Sequence, residues 1–493
     1  MSYFFLKIKM IENRYSEIII NAWLTFKVRR LWRPLIFILI LFISAYLAPG
    51  FAIGNRYPRL IILPVLLLIG VLAPSIILLR HPNLGLALLI VASLAIPFTI
   101  GTGSQTPINA SVLLLSYLVG LWIFDMFTRK RQIRFLSSQP IAPIMAFMLV
   151  VLLGYGFGQI NWFSTQGASS RAQFGGAIIF LLSAGAFLVT AHQANLRGLK
   201  WMTGIFLVLG GLYIAGRIIP QIGVLTSNLG LFKIGSTDSL FWTWLVAIAF
   251  SQAVFNSHLA PRWRLALGIL LGGTFLISLG YARDWTSGWL PSIIAVVVIL
   301  LVARPRFGLF ALLILGVFLM INFQASENLV LQGNQYSLTT RMEAWTILGN
   351  IIKVNPIFGL GFANYYFYTA LFPINGYYVP FNSHNNYIDL VAQTGLVGTA
   401  CFLWFFWAVW RVGLKLRNKA PIGFAQAYVY GALGGLAGTL VAAFLGDWVL
   451  PFVYNIGLNG FRSSVLAWLF LGGLVAIENI YKPGVRELGE QNI

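Results

Sequence analysis

Residues 425–445 read AQAYVYGALGGLAGTLVAAFL, a run without one charged side chain. A helix of this length crosses the hydrocarbon core of a bilayer, which takes about 20 apolar residues. Similar runs recur along the chain, whose 493 residues are 59% hydrophobic and only 9% charged. A chain of this composition cannot hide its apolar surface inside a water-soluble globule. The sequence therefore predicts an all-α, polytopic integral membrane helix bundle.

The hydrophobic runs predict about 14 transmembrane helices, with 12 or 13 as alternatives. The predicted spans are residues 34–53, 60–79, 84–100, 108–127, 141–160, 176–190, 202–219, 240–255, 265–280, 288–302, 307–323, 387–412, 425–445 and 464–480. They divide the chain into a basic segment 1–33, a transmembrane part 34–323, a long loop 324–386, a second transmembrane part 387–480 and a tail 481–493.

The positions of Lys and Arg predict the orientation, because these residues are retained on the cytoplasmic side during membrane insertion. With fourteen spans both termini are cytoplasmic, and 24 of the 33 Lys and Arg residues fall on the inner side. That asymmetry favours a multi-pass protein whose loop 324–386 is extracytoplasmic.

The formal net charge of +21 does not indicate a nucleic-acid protein, because the basic residues are spread over many short loops without a recognisable binding module. Anionic membrane lipids are the simpler partner. Residues 1–33 mix aromatic and basic residues without a small-residue cleavage site, which is typical of an interfacial cytoplasmic segment. Cys401 is the only cysteine, so the chain has neither an internal disulfide nor a thiolate metal site.

The long loop 324–386 is rich in aromatic residues and poor in charges, so we expect it to pack over the mouth of the bundle. Thr340 and Glu343 have the spacing of a capping box, which predicts a short amphipathic helix that starts at Arg341 and ends before Pro356. A cation in the first turn opposes the helix dipole unless an anion binds there, so Arg341 points toward phosphate. An ion pair with Glu343 or contact with lipid headgroups is the alternative.

His384 stands where this loop meets the twelfth span, with Asn382 or Ser383 able to cap the helix. The dipole of a first helical turn favours the neutral imidazole, which can accept a proton as a general base. The alternative is a hydrogen-bonded structural histidine. The other three histidines fall on the cytoplasmic side, which leaves His384 alone at the outer surface and argues against a metal site there. Those three are His81, His192 and His258.

Two more arginines lie near the outer ends of spans and are candidates for binding phosphate in a bidentate manner. Arg217 ends the seventh span, and Arg283 lies between the ninth and tenth. Snorkelling to the interface is the alternative for Arg217, and pairing with Asp284 is the alternative for Arg283.

The stretch from Arg341 to Gly398 resembles the O-antigen ligase and O-antigen polymerase family of bacterial envelope enzymes. The matching pieces are Arg341 before Ala344 and Trp345, NPIFGLG at 355–361, His384, Asn385, Asn386, Tyr387 and Ile388, and TGLVG at 394–398 with Gly395 and Gly398. The resemblance implies transfer of a glycan from undecaprenyl diphosphate to a sugar hydroxyl of an acceptor glycan or glycolipid. The reaction would occur at the outer face of the inner membrane, in the synthesis of lipopolysaccharide or another surface polysaccharide, without a cofactor or metal.

By the same resemblance, His384 is the general base, Arg341 binds the diphosphate and Arg283 matches an upstream arginine of the family. Arg283 stands in an altered context, and Gln393 replaces an acidic residue that the family often has. On a regular helix Asp389 is about 140 degrees away from His384, so Asp447 in another outer loop is the better candidate to assist His384.

A secondary transporter, or an exporter of a small anion or glycan, is the main alternative from another class. Ion-coupled carriers usually have acidic residues in mid-membrane and two related halves. Here Asp125 and Glu478 lie near the ends of spans, and no internal repeat is visible. A soluble-type glycosyltransferase lacks support, since no Gly-rich nucleotide loop or paired acidic metal site occurs. The sequence leaves polymerase and ligase equally open.

Overall fold

The structure is a computed structural model that describes residues 73–101, 107–129, 131–282, 285–321 and 335–482. The chain divides into two compact units, Met1–Arg80 and His81–Ile493. In the first unit the described residues form one helix, Ala73–Arg80. The predicted first span, the interfacial segment 1–33 and all but the start of the tail 481–493 lie outside the described residues.

The second unit is built almost wholly of helices. They are α1 Pro82–Leu94, α2 Ala110–Thr128, α3 Ile141–Phe157, α4 Ser170–Gln193, α5 Leu196–Ile218, α6 Pro220–Asn228, α7 Ser239–Phe255, α8 Pro261–Phe275, α9 Thr286–Ala303, α10 Pro305–Ile321, α11 Gln335–Ile352, α12 Asn364–Tyr368, α13 Asn386–Leu416, α14 Phe424–Leu445 and α15 Gly457–Ile480. A π-helical stretch, Leu276–Tyr281, continues α8, and a 3₁₀ turn, Thr369–Leu371, follows α12. Two short strands, β1 Thr99–Ile100 and β2 Ile108–Asn109, pair antiparallel.

The helical membrane fold predicted from the hydrophobic runs is confirmed in its class. Each predicted span from the third to the fourteenth coincides with one described helix, and eight helices of the described part are long and apolar enough to cross a membrane. Three further apolar helices, including α3 and α7, are shorter. The count of fourteen spans stays a prediction. The predicted third span was too long, because α1 ends at Leu94 and the chain turns at Pro97 into β1.

Close backbone contacts hold the centre of the bundle together. Helix α15 is buried along almost its whole length, and it packs against α4, α7 and α14. A Cβ atom on Gly472 of α15 would lie 2.6 Å from the carbonyl oxygen of Phe187 in α4. Gly438 of α14 approaches the carbonyl oxygen of Pro291 in α9 equally closely, at 2.6 Å. Small residues at such crossings let helices pack by van der Waals contact where water supplies no driving force.

The two ends of the bundle differ in charge. At one end, here called the basic end, the segment between α2 and α3 is joined to α4 by a hydrogen bond of 3.1 Å from Leu136 N to His192 Nε2. At the same end the ion pair of Lys415 with Glu478, at 3.8 Å, joins α13 to α15. Described Lys and Arg residues at the basic end are Arg129, Arg131, Arg134, Arg197, Lys200, Arg262, Arg264, Arg304, Arg306, Arg411, Lys415, Arg417, Lys419 and Lys482. The other end contains His384.

A break in α13 shapes the end that contains His384. Gly395 has φ 70° and ψ −174° inside the helix, a conformation that is essentially restricted to glycine. The break exposes backbone groups of α13, and the segment 356–361 pairs with them. The bonds are Leu360 N to Ala392 O (2.8 Å), Gly361 N to Gln393 O (3.2 Å), Leu396 N to Pro356 O (2.8 Å) and Val397 N to Ile357 O (3.2 Å). The family-like pieces at 355–361 and 394–398 are thus two sides of one backbone junction.

We expect Gly395→Ala to destabilise the protein by more than about 2 kcal/mol, because the residue needs a positive φ and a methyl group would overlap the carbonyl oxygen of Ile357. The measurement is the thermal unfolding midpoint of the purified protein in detergent. Gly120→Ala in α2 is the control, since a Cβ there meets nothing within 4 Å. Equal midpoints for the two variants would contradict this account of the break.

The orientation is tested by cysteine labelling in a Cys401→Ser background. A cysteine that replaces Tyr377, which is 69% exposed beside the His384 end, should react with an impermeant maleimide in intact cells. A cysteine that replaces the exposed Asn418 at the basic end should react only after lysis. The reverse labelling pattern would invert the predicted topology.

Candidate functional site

A rigid turn presents the imidazole of His384. The hydroxyl of Ser383 accepts a hydrogen bond from Asn385 N (2.9 Å), and its oxygen lies 2.6 Å from Asp389 Oδ1. The Asn385 side chain caps α13 by accepting from Tyr387 N at 2.9 Å. Between these two polar anchors His384 adopts φ 49°, a left-handed conformation that only a minority of non-glycine residues take.

The predicted position of His384 inside the first helical turn was wrong. Helix α13 starts at Asn386 and its cap is Asn385, so His384 precedes the cap. The predicted caps fail for a physical reason: the hydroxyl of Ser383 is already bonded to Asn385 N and Asp389. The largest influence on the imidazole is its burial.

Asp389, in the first turn of α13, holds the turn of His384 in place. It is 1% exposed and accepts hydrogen bonds from Ser383 and from the Tyr365 hydroxyl. Tyr365 is itself fully buried, and its ring packs on Phe452 with centroids 5.0 Å apart. Asp389 thus fixes the residue before His384 rather than the imidazole itself. Helical periodicity does not reveal this role, because Asp389 contacts the turn before the helix and not a residue on its own helical face.

A second loop, residues 446–456, is fastened to this turn by Asn386. The Asn386 amide accepts from Val449 N (2.9 Å) and from Leu450 N (3.3 Å), and it donates to Leu450 O (2.8 Å). The side chain is fully buried, so these bonds have no water to replace them. They hold Asp447, at the start of the loop, close to His384. In the sequence Asn386 stands out only as one member of the family-like stretch 384–388.

Asp447 is the acidic group of the site. It is 2% exposed and accepts hydrogen bonds of 2.9 Å from Phe452 N and from Asn455 Nδ2. Burial raises the pKa of Asp447, while these bonds and the nearby His384 act in the opposite direction. A carboxylate kept within reach of an imidazole stabilises the protonated ring.

Arg341 approaches from α11. Trp345, one turn further along this helix, donates a hydrogen bond of 2.9 Å to the carbonyl oxygen of Ser383 and so fixes α11 against the turn of His384. Arg341 itself is half-buried, and burial lowers its pKa while Asp447 opposes that shift. Its guanidinium is the nearby cation that acts on His384.

Helix α11 begins earlier than predicted. It runs over Gln335–Ile352, so Arg341 lies in its second turn, and the expectation of a cation at the first residue was wrong. Glu343 does not cap the helix; its carboxylate oxygens accept from Asn375 N, each at 3.3 Å. The dipole argument for phosphate at Arg341 therefore fails. The remaining feature that favours an anion at Arg341 is its half-buried guanidinium, which lies near His384 and Asp447.

The charges converge on His384. Burial lowers the pKa of the imidazole below its usual value, Asp447 raises it and Arg341 lowers it, with a net decrease. The ring is therefore neutral near pH 7 and able to accept a proton. An imidazole, a guanidinium and a carboxylate from three separate segments thus lie near enough at one end of the bundle to act on one another's charge.

Asp238 is a further acidic residue near this group. It immediately precedes α7, and one of its carboxylate oxygens is buried without a hydrogen-bond partner among the described residues. Burial, and secondly Asp447, raise the pKa of Asp238 to about 7. The sequence shows only an aspartate before an apolar run, which is an ordinary helix start.

The remaining predicted site residues have different surroundings. Arg217 is exposed in the last turn of α5, while Arg283 lies outside the described residues. The Tyr387 hydroxyl donates to Leu440 O at 2.9 Å and links α13 to α14. A Cβ atom on Gly398 would lie 3.3 Å from Val150 of α3, so Gly398, like Gly395, serves close packing.

The part of the chain that holds His384 and Arg341 is similar to a known protein family. Residues 168–403 match the family model described as O-antigen ligase. This stretch, just under half of the chain, is similar to the O-antigen ligase domain. No curated protein matches. The resemblance predicted from the sequence is confirmed, and the matched stretch contains the break at Gly395 together with His384 and Arg341. Asp447 lies beyond the matched stretch, so the structure adds a residue to the site that the family match does not reach.

The opposite effects of the two charged neighbours on His384 can be measured directly. Asp447→Asn removes the carboxylate that stabilises the protonated ring, so we expect the pKa of His384 to fall further. Arg341→Gln removes a repelling cation, so the pKa of His384 should rise. NMR titration of histidine-labelled protein gives both shifts, and the exposed His81 serves as the internal control. A shift in the same direction in both variants would disprove the arrangement.

Proposed function

We propose that this protein transfers a glycan from undecaprenyl diphosphate to a sugar hydroxyl of an acceptor glycan or glycolipid, at the outer face of the inner membrane. The O-antigen ligase domain supports a glycosyltransferase-like enzyme of the ligase or polymerase kind in general. The apolar helices and the domain together indicate a multi-pass protein of the inner membrane. The observation that carries the finer proposal is the convergence of His384, Arg341 and Asp447.

The proposed reaction is one displacement at the anomeric carbon of the donor glycan. The acceptor oxygen forms a bond to that carbon while its proton passes to His384. The bond from the carbon to the diphosphate oxygen breaks, and the diphosphate leaves with the electron pair. Two tasks follow for the protein: removal of a proton from the attacking hydroxyl, and neutralisation of charge on the leaving group.

His384 performs the first task because its burial keeps the imidazole neutral before the reaction. Asp447 then stabilises the imidazolium that forms, since a buried carboxylate within reach favours the charged ring. Asp389 and Ser383 act on the position of His384 and not on the reacting atoms.

Arg341 performs the second task. A guanidinium offers a planar fork of donors that matches the oxygens of a phosphate group. Because Arg341 is half-buried, its bond to an anion is stronger than it would be in bulk water. In this proposal Arg217 and Arg283 add positive charge along the donor, and the arginines supply the neutralisation without a metal ion. Anionic membrane lipids at the basic end remain the proposed lipid partner.

Complementation of a deletion strain tests the proposal through its surface glycan. His384→Ala should reduce product by about 10²–10⁴-fold, the range that general base catalysis contributes. Arg341→Lys keeps the charge but loses the fork, which should cost roughly 10–100-fold, as expected for a hydrogen bond to a charged group.

The matched controls are His81→Ala, at the basic end, and Arg171→Lys, an exposed arginine at the start of α4. Both should retain full product, and all variants should reach the membrane in equal amounts. Undiminished glycan in His384→Ala would refute the assigned base. The product also separates the two reactions: a polymerase defect leaves single repeats on the acceptor, while a ligase defect leaves long chains on the lipid carrier.

A further inference from the structure

A cavity of about 500 Å³ lies at the basic end, at the opposite end of the bundle from His384. Its walls come from the start of α5, the end of α7, the start of α8 and the loop before α14. The volume is within the range of small-molecule binding sites. Neither the mechanism nor the family-like motifs use any residue of this cavity.

The basic residues that line the cavity stand near the ends of helices. Lys200, Asn256 and His258 line it at this level, and no acidic residue is among the residues that line it. Both Lys200 and His258 are exposed. The ammonium group of Lys200 lies 5.8 Å from the centre of the Phe424 ring, which leaves its hydrogen-bond donors available to a ligand. The rim is therefore suited to an anion.

Further from the helix ends the lining is mostly apolar, with Thr203 and Gln252 as the polar exceptions. Along α5 the lining continues from Lys200 through Gly204 to Leu207, about 10 Å further along the helix axis. Leu267 of α8 lines the facing side. The cavity thus has a cationic rim and a mostly apolar interior. A phospholipid that enters with its chains inward would place its charged headgroup at the rim and its chains in the interior.

Two tryptophans show that this rim stands at the level of lipid headgroups. Trp201 in α5 is 58% exposed and follows Lys200 directly. Trp263 in α8 is 57% exposed and lies five residues after His258. Exposed tryptophans on transmembrane helices concentrate at the interface between membrane and water. Further along the same helices the exposed residues are aliphatic, such as Val208 and Ile269. The cavity therefore lies between two helices that face lipid.

We propose that this cavity is a binding site for an anionic phospholipid of the leaflet at the basic end. The phosphate group binds Lys200 and His258 at the rim, and an acyl chain passes Gly204 toward Leu207. A zwitterionic lipid has the same chains but no net charge, so it should bind more weakly. Free phosphate shares the headgroup chemistry but lacks the chain.

Gly204 offers a sharp test because a Cβ atom there meets nothing within 4 Å. Gly204→Leu should fill the chain path without disturbing the packing. Gly211→Leu on the same helix is the matched control, because Gly211 is equally unobstructed and does not line the cavity. For the headgroup, Lys200→Gln is compared with Arg197→Gln, an exposed arginine on α5 outside the cavity.

The measurement is the shift in thermal unfolding midpoint of the purified full-length protein, titrated with short-chain phosphatidylglycerol, short-chain phosphatidylcholine of the same chain length, or inorganic phosphate. Phosphatidylglycerol should stabilise the wild type and both controls. Lys200→Gln should weaken apparent binding about fivefold, which corresponds to one basic residue near an anionic lipid. Gly204→Leu should abolish the shift.

Three outcomes would overturn the proposal: equal stabilisation by phosphatidylcholine, equal stabilisation by phosphate alone, or unchanged binding in Gly204→Leu. Native mass spectrometry of the same samples should give one bound phosphatidylglycerol that is lost in Gly204→Leu and kept in Gly211→Leu. Both readouts are independent of glycan transfer, so this proposal and the proposed function can fail separately.

Discussion

The break in α13 at Gly395 is the constraint on which the site depends. Within a membrane every backbone amide and carbonyl must be satisfied inside the protein, so a helix can be interrupted only where another segment takes over its bonds. Here the segment 356–361 does so, and it is the continuation of α11, which carries Arg341. The junction therefore fixes the helix of the arginine against the helix that follows His384. Asn364 reinforces it with hydrogen bonds of 2.9 Å to Gly158 O and Leu360 O.

This arrangement also has an electrostatic consequence. Three charged or titratable groups come from separate parts of the chain, and each modifies the others in a low-polarity setting. Burial favours the neutral imidazole of His384, Arg341 adds to that effect, and Asp447 limits it. Asn386 is central to the balance, because its buried amide sets where the loop of Asp447 lies. A general base needs such a compromise: an imidazole that is neutral at rest but still binds a proton in the transition state.

Much of this could be predicted from the sequence, and the failures have physical causes. Uncharged runs such as 425–445 located the described helices, because burial in lipid requires long apolar segments. The start of α11 was misplaced, because a capping-box spacing at Thr340 and Glu343 also occurs inside helices. The cap of α13 was misplaced by two or three residues, because hydrogen bonds among Ser383, Asn385 and Asp389 decide it and spacing does not reveal them.

Residues distant in sequence were harder to assign. Asp447 is a candidate to assist His384 from the sequence because both lie on the outer side of the predicted topology. The hydrogen bond that ties the loop of Asp447 to Asn386 becomes visible only in three dimensions. Tyr365 and Asp238 carry no sequence signal at all, since an aromatic residue in an aromatic loop and an aspartate before a helix are ordinary. Burial gives both residues their significance.

The position of Arg341 beside His384 gives the proposed donor a part in its own activation. Without donor, burial and to a smaller extent the guanidinium of Arg341 lower the pKa of His384 and keep it a weak base. An anionic diphosphate on Arg341 would cancel the effect of the guanidinium, and the proton affinity of the ring would then rise under the influence of Asp447. The enzyme would thus gain its full basicity only when a glycan is in place, and an idle site would draw few protons from water.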